Sequence, residues 1–451
     1  MINDRMKNRS TQTSTSNMTA VKSSKLLTFF LLLLTTSAEI TNNNIHASSS
    51  ILPPDVTKSA TNYLNNLTSW IMTLDVGSGI ISNYNTSSNP LNTSIFINGN
   101  LARVLLGSYK LTGNIDHLHE GLRWCDSFIN SQVDVITSKG SHGGYWGAGY
   151  PESVPLSQGE IYLGDTGTAA TALSICHELT SNATQRDLYE AAMKKYFIFV
   201  TEGCNQPGCG AVRRGTASSS GFVNTSASGG GAIGCGFYKG HLSTCPYVIA
   251  TATTGAAFAG ELLSILKATN DPTSEECYSM VKSSIEYIAS LVSPTNGTLP
   301  YQIDCDAPDW TSWPLDTLSY VTEGATSIWI HSKELRPKLT GVMNQTVEWL
   351  LANQNEEGYW GSSSHAADLQ RSPRVATMLS LHAAAAAASS LEEEEEVAVD
   401  PRLVHALVKY VKFILKSGDG KYGVKDILNT SGFVGLALLD LLEFGITFGR
   451  P

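Results

Sequence analysis

After its N-terminal segment the sequence has no cluster of Lys or Arg, and its net charge is −10. A nucleic-acid surface needs concentrated positive charge to neutralise phosphates, so nucleic acid is excluded as a partner. Beyond residue 50 no apolar run reaches membrane length without interruption, so no stable membrane span is expected. The eight cysteines match no standard zinc spacing, and no metal or cofactor is assigned.

What is present begins with a leader. Lys22 and Lys25 precede the apolar run Leu26 to Leu34, which is too short to span a bilayer and has the form of a signal-peptide core. Small-residue cleavage sites follow at Thr36-Ser37-Ala38 and Ile45-His46-Ala47. Residues 1–47 are therefore read as signal peptide and leader, with Met18 an alternative start, and the mature protein as secreted or lumenal. Glycosylation sequons at Asn66, Asn85, Asn92, Asn182, Asn224, Asn296, Asn344 and Asn429 agree with that compartment, as does the even cysteine count. Spacing favours local bridges Cys204–Cys209 and Cys235–Cys245. Cys125 and Cys176 sit in helical segments and suit buried thiols equally well.

From Asp55 onward one unit repeats, a helix pair followed by a turn with glycine and an aromatic. The turn is most literal in Gly144-Tyr145-Trp146-Gly147 and Gly358-Tyr359-Trp360-Gly361. One helix of each pair is Gly/Ala-rich and nearly uncharged: 98–112, 165–180, 253–269, 321–335, 374–388 and 431–444. The other is amphipathic: 115–129, 187–200, 274–292, 339–353 and 401–415. A helix that is apolar all round belongs inside, and one with a polar stripe faces water. The missing outer helix is supplied by 56–74, capped by Asp55 and closing against 433–444, with Trp70 and Leu439 buried. The expected fold is all-α, an (α/α)6 toroid of six helix hairpins in a closed ring, with long loops on one face. Residues 55–446 form this single domain, and the Gly/Ser/Cys-rich stretch 203–247 is a loop insertion.

Three aromatic and acidic clusters each precede an inner helix. The first holds His142, Tyr145, Trp146 and Asp165, the last also able to cap its helix. The second holds Asp304, Asp306, Asp309, Trp310, Trp313, Asp316 and Glu323, and the third Trp360, His365, Asp368, Arg371 and Arg374. In a ring whose inner helices point the same way, these loops meet at one mouth. Paired carboxylates suit acid/base work and aromatic faces suit sugar rings. Asp165, Glu323, Asp368, Asp316, His142 and His365 are the candidate catalytic residues. Tyr145, Trp146, Trp310, Trp313, Trp360, Arg371 and Arg374 are the candidate substrate-binding ones, an arginine pairing with a substrate carboxylate or simply holding Asp368.

The alternation of small-residue inner and amphipathic outer helices, with the hairpin turn Tyr109-Lys110-Leu111-Thr112-Gly113, resembles the six-hairpin glycosidase class. That resemblance implies a carbohydrate-active enzyme: a hydrolase using two of Asp165, Asp316, Glu323 and Asp368, or a uronate lyase or epimerase. In a lyase His142 or His365 with a tyrosine would take the proton, and an arginine would neutralise the uronate. A second resemblance is to terpenoid cyclases, through Trp349-Leu350-Leu351-Ala352-Asn353-Gln354 leading to Gly358-Tyr359-Trp360. The protonating Asp-x-Asp-Asp pattern of those cyclases meets Asp304-Cys305-Asp306-Ala307, which lacks the last aspartate. Cyclisation or isomerisation of a small apolar metabolite is the alternative, and a non-catalytic glycan binder the third reading. The partner is a carbohydrate or small-molecule substrate in either enzyme case.

Overall fold

The computed structural model describes residues 52–74, 84–86, 89–91, 95–133, 135–137, 140–145, 160–203, 212–214, 222–224, 231–238, 241–293, 298–300, 302–304, 307–309, 314–361, 374–385, 400–417 and 428–444. The expected signal peptide, its cleavage sites and Met18 lie outside them. So does the Cys204–Cys209 pair, and of Cys235 and Cys245 only the backbone is described.

Twelve long helices among the described residues form an (α/α)6 toroid. Outer helices are α1 (Pro54–Met72), α3 (Ile115–Asn130), α5 (Ala183–Glu202), α7 (Ser274–Leu291), α9 (Arg336–Asn353) and α11 (Pro401–Ser417). Inner helices are α2 (Ile95–Thr112), α4 (Leu163–Leu179), α6 (Val248–Thr269), α8 (Pro314–His331), α10 (374–385) and α12 (Leu428–Leu442). Composition explains the division. In α4 every residue from Thr166 to Cys176 is buried, whereas α1 buries Val56, Ala60, Tyr63, Leu64, Leu67 and Ile71 on one stripe. α6 is long and apolar enough to cross a membrane, but 89% of its apolar window is buried inside the protein.

Small residues set how closely the inner helices approach. A Cβ on Gly99 of α2 would sit 2.9 Å from the backbone nitrogen of Ala169 on α4. One on Gly435 of α12 would meet Val104 of α2 at 2.6 Å, which marks the seam where the last inner helix meets the first. Gly432 lies against Asn100, Gly435 against Val104 and Gly107 against Leu439, so α2 and α12 ascend together and run parallel. α1 packs on α12, α2 and α11 and completes the outer layer. Leu439 is fully buried as expected, while Trp70 stays half-buried.

Three local expectations change. Asp55 does not cap α1: Pro53 holds that position, Pro54 starts the helix, and Asp55 sits in the first turn, where its charge opposes the positive end of the helix dipole. Cys125 of α3 and Cys176 of α4 are joined in a disulfide, because these neighbouring helices bring their sulfurs together. Residues 203–247 are not a plain loop. Their described parts form a sheet in the order Val212–Arg214, His241–Pro246, Ala232–Tyr238 and Glu160–Tyr162, with Val223–Asn224 pairing on Ala232–Tyr238. Gly236 is required there: its φ is +129° and a Cβ would fall 2.1 Å from the carbonyl oxygen of Ile161.

Candidate functional site

The lumen of the ring is filled in layers, and the spacing along each inner helix shows how. Phe96 and Arg103 are seven residues apart on α2, as are Phe433 and Asp440 on α12, and Tyr320 and Glu323 are three apart on α8. Such residues share a helix face, so one aromatic layer lies above one charged layer. Phe96, Tyr320 and Phe433 meet with ring centroids 5.8–6.1 Å apart. Below them Arg103 Nη1 donates to Glu323 Oε1 at 3.0 Å, and Arg374 Nε lies 3.5 Å from that same oxygen. Arg374 Nη1 also pairs with Asp440 Oδ2 and reaches Thr377 Oγ1 at 3.2 Å. All four charged side chains are at most 1% exposed. Burial pushes the Arg103 guanidinium below its ordinary value, with Glu323 opposing. Two cations cancel two anions, and among the described residues this layer plugs the lumen.

That geometry places two site candidates. Glu323 and Arg374 belong to this charged layer, and their side chains are at most 1% exposed. Tyr145 and Trp360, expected as binding residues, are also fully buried. Each belongs to a tie between successive outer helices, built the same way twice. Gln132 Nε2, just after α3, donates to Gly143 O and to Ala192 O on α5, both at 2.9 Å. Gln354 Nε2, just after α9, donates to Gly358 O at 2.9 Å and to Ala406 O on α11 at 2.8 Å. Tyr145 Oη donates to Ala192 O at 3.3 Å, and Trp360 Nε1 to Leu350 O at 2.8 Å. Burial pushes the Tyr145 phenol well above its ordinary value. The Gly-aromatic turn is a fastening.

Asp165 is the third residue of α4, half-buried in the first turn; Tyr162, not Asp165, holds the cap position. Asp316 is the third residue of α8, with only its backbone described. His142 ends the strand Gly140–His142, which pairs with Val135–Thr137, and its side chain is likewise not described. Trp146, Trp310, Trp313, His365, Asp368 and Arg371 lie outside the described residues. The mouth where the inner helices begin therefore holds Asp165, Asp316 and the aromatic layer as its described parts.

A second concave site opens at the other end, where inner helices finish. A cleft of about 350 Å³ is lined by Ser174, His177 and Glu178 in the last turns of α4, Arg186 of α5, one face of α6 from Glu261 through Ser264, Ile265 and Ala268 to Thr269, and His331 closing α8. Glu261 is nearly buried, and both carboxylate oxygens are engaged. Oε1 lies 2.9 Å from His331 Nε2; Ser174 Oγ is 3.3 Å from Oε2 and Ser327 Oγ 3.3 Å from Oε1, each hydroxyl shared with a nearer carbonyl, Thr171 O at 2.7 Å and Ala257 O at 3.0 Å. Burial lowers the His331 pKa and Glu261 raises it; the carboxylate wins and the net shift is upward. At the rim, burial raises the Glu178 pKa against the opposing pull of Lys110, whose Nζ is 2.7 Å away. Sequence reasoning missed Arg103, Asp440, Glu261 and His331. The available signal was a lone charge inside an otherwise small and apolar inner helix.

No protein-family model matches this chain, and no curated protein matches it by sequence. Solved structures match its fold. An inactive variant of an alpha-1,6-mannanase from Salegentibacter sp., in complex with alpha-1,6-mannotetrose, superposes with a TM-score of 0.58 at 10% identity, covering 85% of this chain and 99% of that one. The unsaturated glucuronyl hydrolase of Bacillus sp. GL1 gives 0.54 at 13% identity over 87% and 98%. A type II terpene cyclase from Scytonema gives 0.50 at 11% identity over 87% and 100%. The mannanase variant carries alanine in place of two aspartates adjacent in its sequence. The present chain has no two adjacent aspartates. At these identities the shared property is the toroid itself, and this chain has the fold of the (α/α)6 toroid glycosidases.

Proposed function

We propose that this protein is a secreted carbohydrate-active enzyme that cleaves or eliminates at a glycosidic bond, with its substrate in the mouth where the inner helices begin. The observation that carries this reading is the plugged lumen beneath an aromatic layer. Above that buried layer, the end where the inner helices begin gathers helix N-termini and the first-turn carboxylates Asp165 and Asp316. Asp165 and Asp316 each stand in the first turn of an inner helix, and Asp368 precedes α10 by a few residues. With Glu323 in the plug, these three are the remaining carboxylate candidates, and His142 and His365 stay the candidate bases for a lyase. Asp165, Asp316 and Asp368 belong to three different repeats, so an acid and a base drawn from them would come from different parts of the ring. Secretion is supported by the Cys125–Cys176 bridge and by exposed sequon asparagines Asn66 and Asn344.

The test is turnover on a panel of mannosyl and glucosyl oligosaccharides and unsaturated uronides, comparing the wild type with Asp165→Asn, Asp316→Asn and Asp368→Asn. Loss of an acid or base costs about 10²–10⁴-fold in rate with the melting temperature preserved. If all three variants keep full activity, the mouth is not the catalytic site. The aromatic layer of Phe96, Tyr320 and Phe433 also favours the second reading, a cyclase of a small apolar metabolite. Conversion of a polyprenyl substrate, with every glycan left untouched, would decide for it. Glycan binding without turnover of either kind would decide for the non-catalytic binder.

A further inference from the structure

The cleft at the opposite mouth lies on the far side of the plug from the proposed catalytic pocket. Its chemistry is built rather than incidental. Glu261 of α6 is approached by side chains from two other helices, Ser174 of α4 and Ser327 and His331 of α8, and it turns one ring nitrogen of His331 toward itself. A carboxylate on one imidazole nitrogen fixes the ring orientation and leaves the other nitrogen available to a ligand. Glu178 offers a carboxylate at the rim and His177 a second imidazole, 3.7 Å from Glu190. Arg186 supplies a guanidinium held in place by its bond to Thr180 O at 2.8 Å. Ile265 and Ala268 give the cleft an apolar wall.

This mixture of donors and acceptors selects a ligand class by elimination. A cation placed here meets Arg186 and, when His331 is protonated, an imidazolium. An anion meets Glu178 and the negative ends of three helix dipoles. A hydroxyl both donates and accepts, so it satisfies either kind of lining group without a charge penalty. A ring with hydroxyls on its edge and C–H bonds on its face fits the polar lining and the apolar wall together. The volume of about 350 Å³ lies at the small end of ligand pockets.

We propose that this cleft is a second binding site, which takes a neutral polyhydroxylated ligand the size of one or two sugar units, independently of whatever reaction occurs at the other mouth. His331 and Glu178 bond its hydroxyls, and Ile265 contacts its C–H face. The experiment is titration of the full-length protein with D-mannose, D-glucose and their disaccharides, with ethylammonium and acetate as charged controls, read by saturation-transfer NMR and calorimetry. Ser264→Trp fills the half-buried cleft wall and should weaken binding of the neutral sugar by at least about tenfold, which is 1.4 kcal/mol. Glu178→Ala, at an exposed rim position that the fold does not depend on, should weaken it in the same direction if Ser264→Trp fails to fold. The proposal is overturned if no neutral sugar binds, if either charged control binds more tightly, or if sugar binding survives both substitutions unchanged. Since the readout is binding, its failure leaves the proposal about turnover standing, and the reverse holds too.

Discussion

The protein buries carboxylates in two places, and the two are handled differently. In the lumen Glu323 is 1% exposed, shares one oxygen between two arginines and leaves Oε2 without a hydrogen-bond partner. In the cleft Glu261 is 5% exposed, has both oxygens engaged, and hands its charge to a histidine that faces a cavity. Charge in the lumen is balanced by opposite charge across helices and stays sealed. Charge in the cleft is held chiefly by His331, with two serine hydroxyls beside it, and opens toward solvent on the other side. Burial alone therefore does not mark a site; access does.

The largest expected effect breaks the lumen side of this contrast. Asp440→Ala leaves Arg374 buried without its closest carboxylate, and removing one partner of a buried pair costs about 3–5 kcal/mol. Denaturant melts measure it, and a loss below about 1 kcal/mol would mean that water reaches the plug. The next variant sharpens the point: Arg103→Met, Glu323→Leu, Arg374→Met and Asp440→Leu together should leave stability unchanged or raise it by about 1–4 kcal/mol. Turnover should survive, since none of the four faces the mouth; its abolition would return Glu323 to the catalytic set. In the cleft, Glu261→Gln keeps the serine bonds but weakens the one to His331, for about 1.5–3 kcal/mol. A cost equal to that of Asp440→Ala would erase the distinction drawn above.

The smallest effect is in pH. His331 has a raised pKa in the folded state, so its contribution is fully present below the unfolded value of about 6.5 and fades as pH rises through the folded value. Glu261 supplies this shift, Glu178 adds to it, and burial and Lys110 oppose it. Melting curves across about pH 5 to 8 should show wild-type stability falling relative to His331→Gln as pH rises. Parallel curves for the two proteins would show that the pair does not titrate with folding.

Much of the fold was legible because periodicity and composition carry it. The uncharged stretches around Ala169 to Ala172 and Ala256 to Ala259 announce inner helices, and the stripe from Val56 to Ile71 announces the outer helix that closes the ring. Boundaries were less legible: α8 begins at Pro314, seven residues before the small-residue run suggested, because its first turns bury Leu315, Thr317 and Leu318. The site was read only coarsely. Tyr145 and Trp360 look like surface aromatics in sequence, yet Gln132 and Gln354 draw their turns inward, and a hydrogen bond to a carbonyl 60 or 52 residues away leaves no local pattern. The strands of 203–247 were hidden by their glycines. Arg103 with Glu323 are 220 positions apart, so only the closed ring makes them neighbours.

The inner helix α6 holds a π-helical segment, Thr251–Phe258, between ordinary α-helical turns. A wider turn of this kind accommodates one extra residue while the turns before and after keep their own phase. At 22 residues α6 is also longer than α2 and α8, at 18 each. Removing a single codon within 251–258 would then let the helix rewind to a regular α-helix, with Val248 still at the mouth and Glu261 still facing His331. The ring carries a place where its gene can lose one amino acid without turning a wall of the barrel.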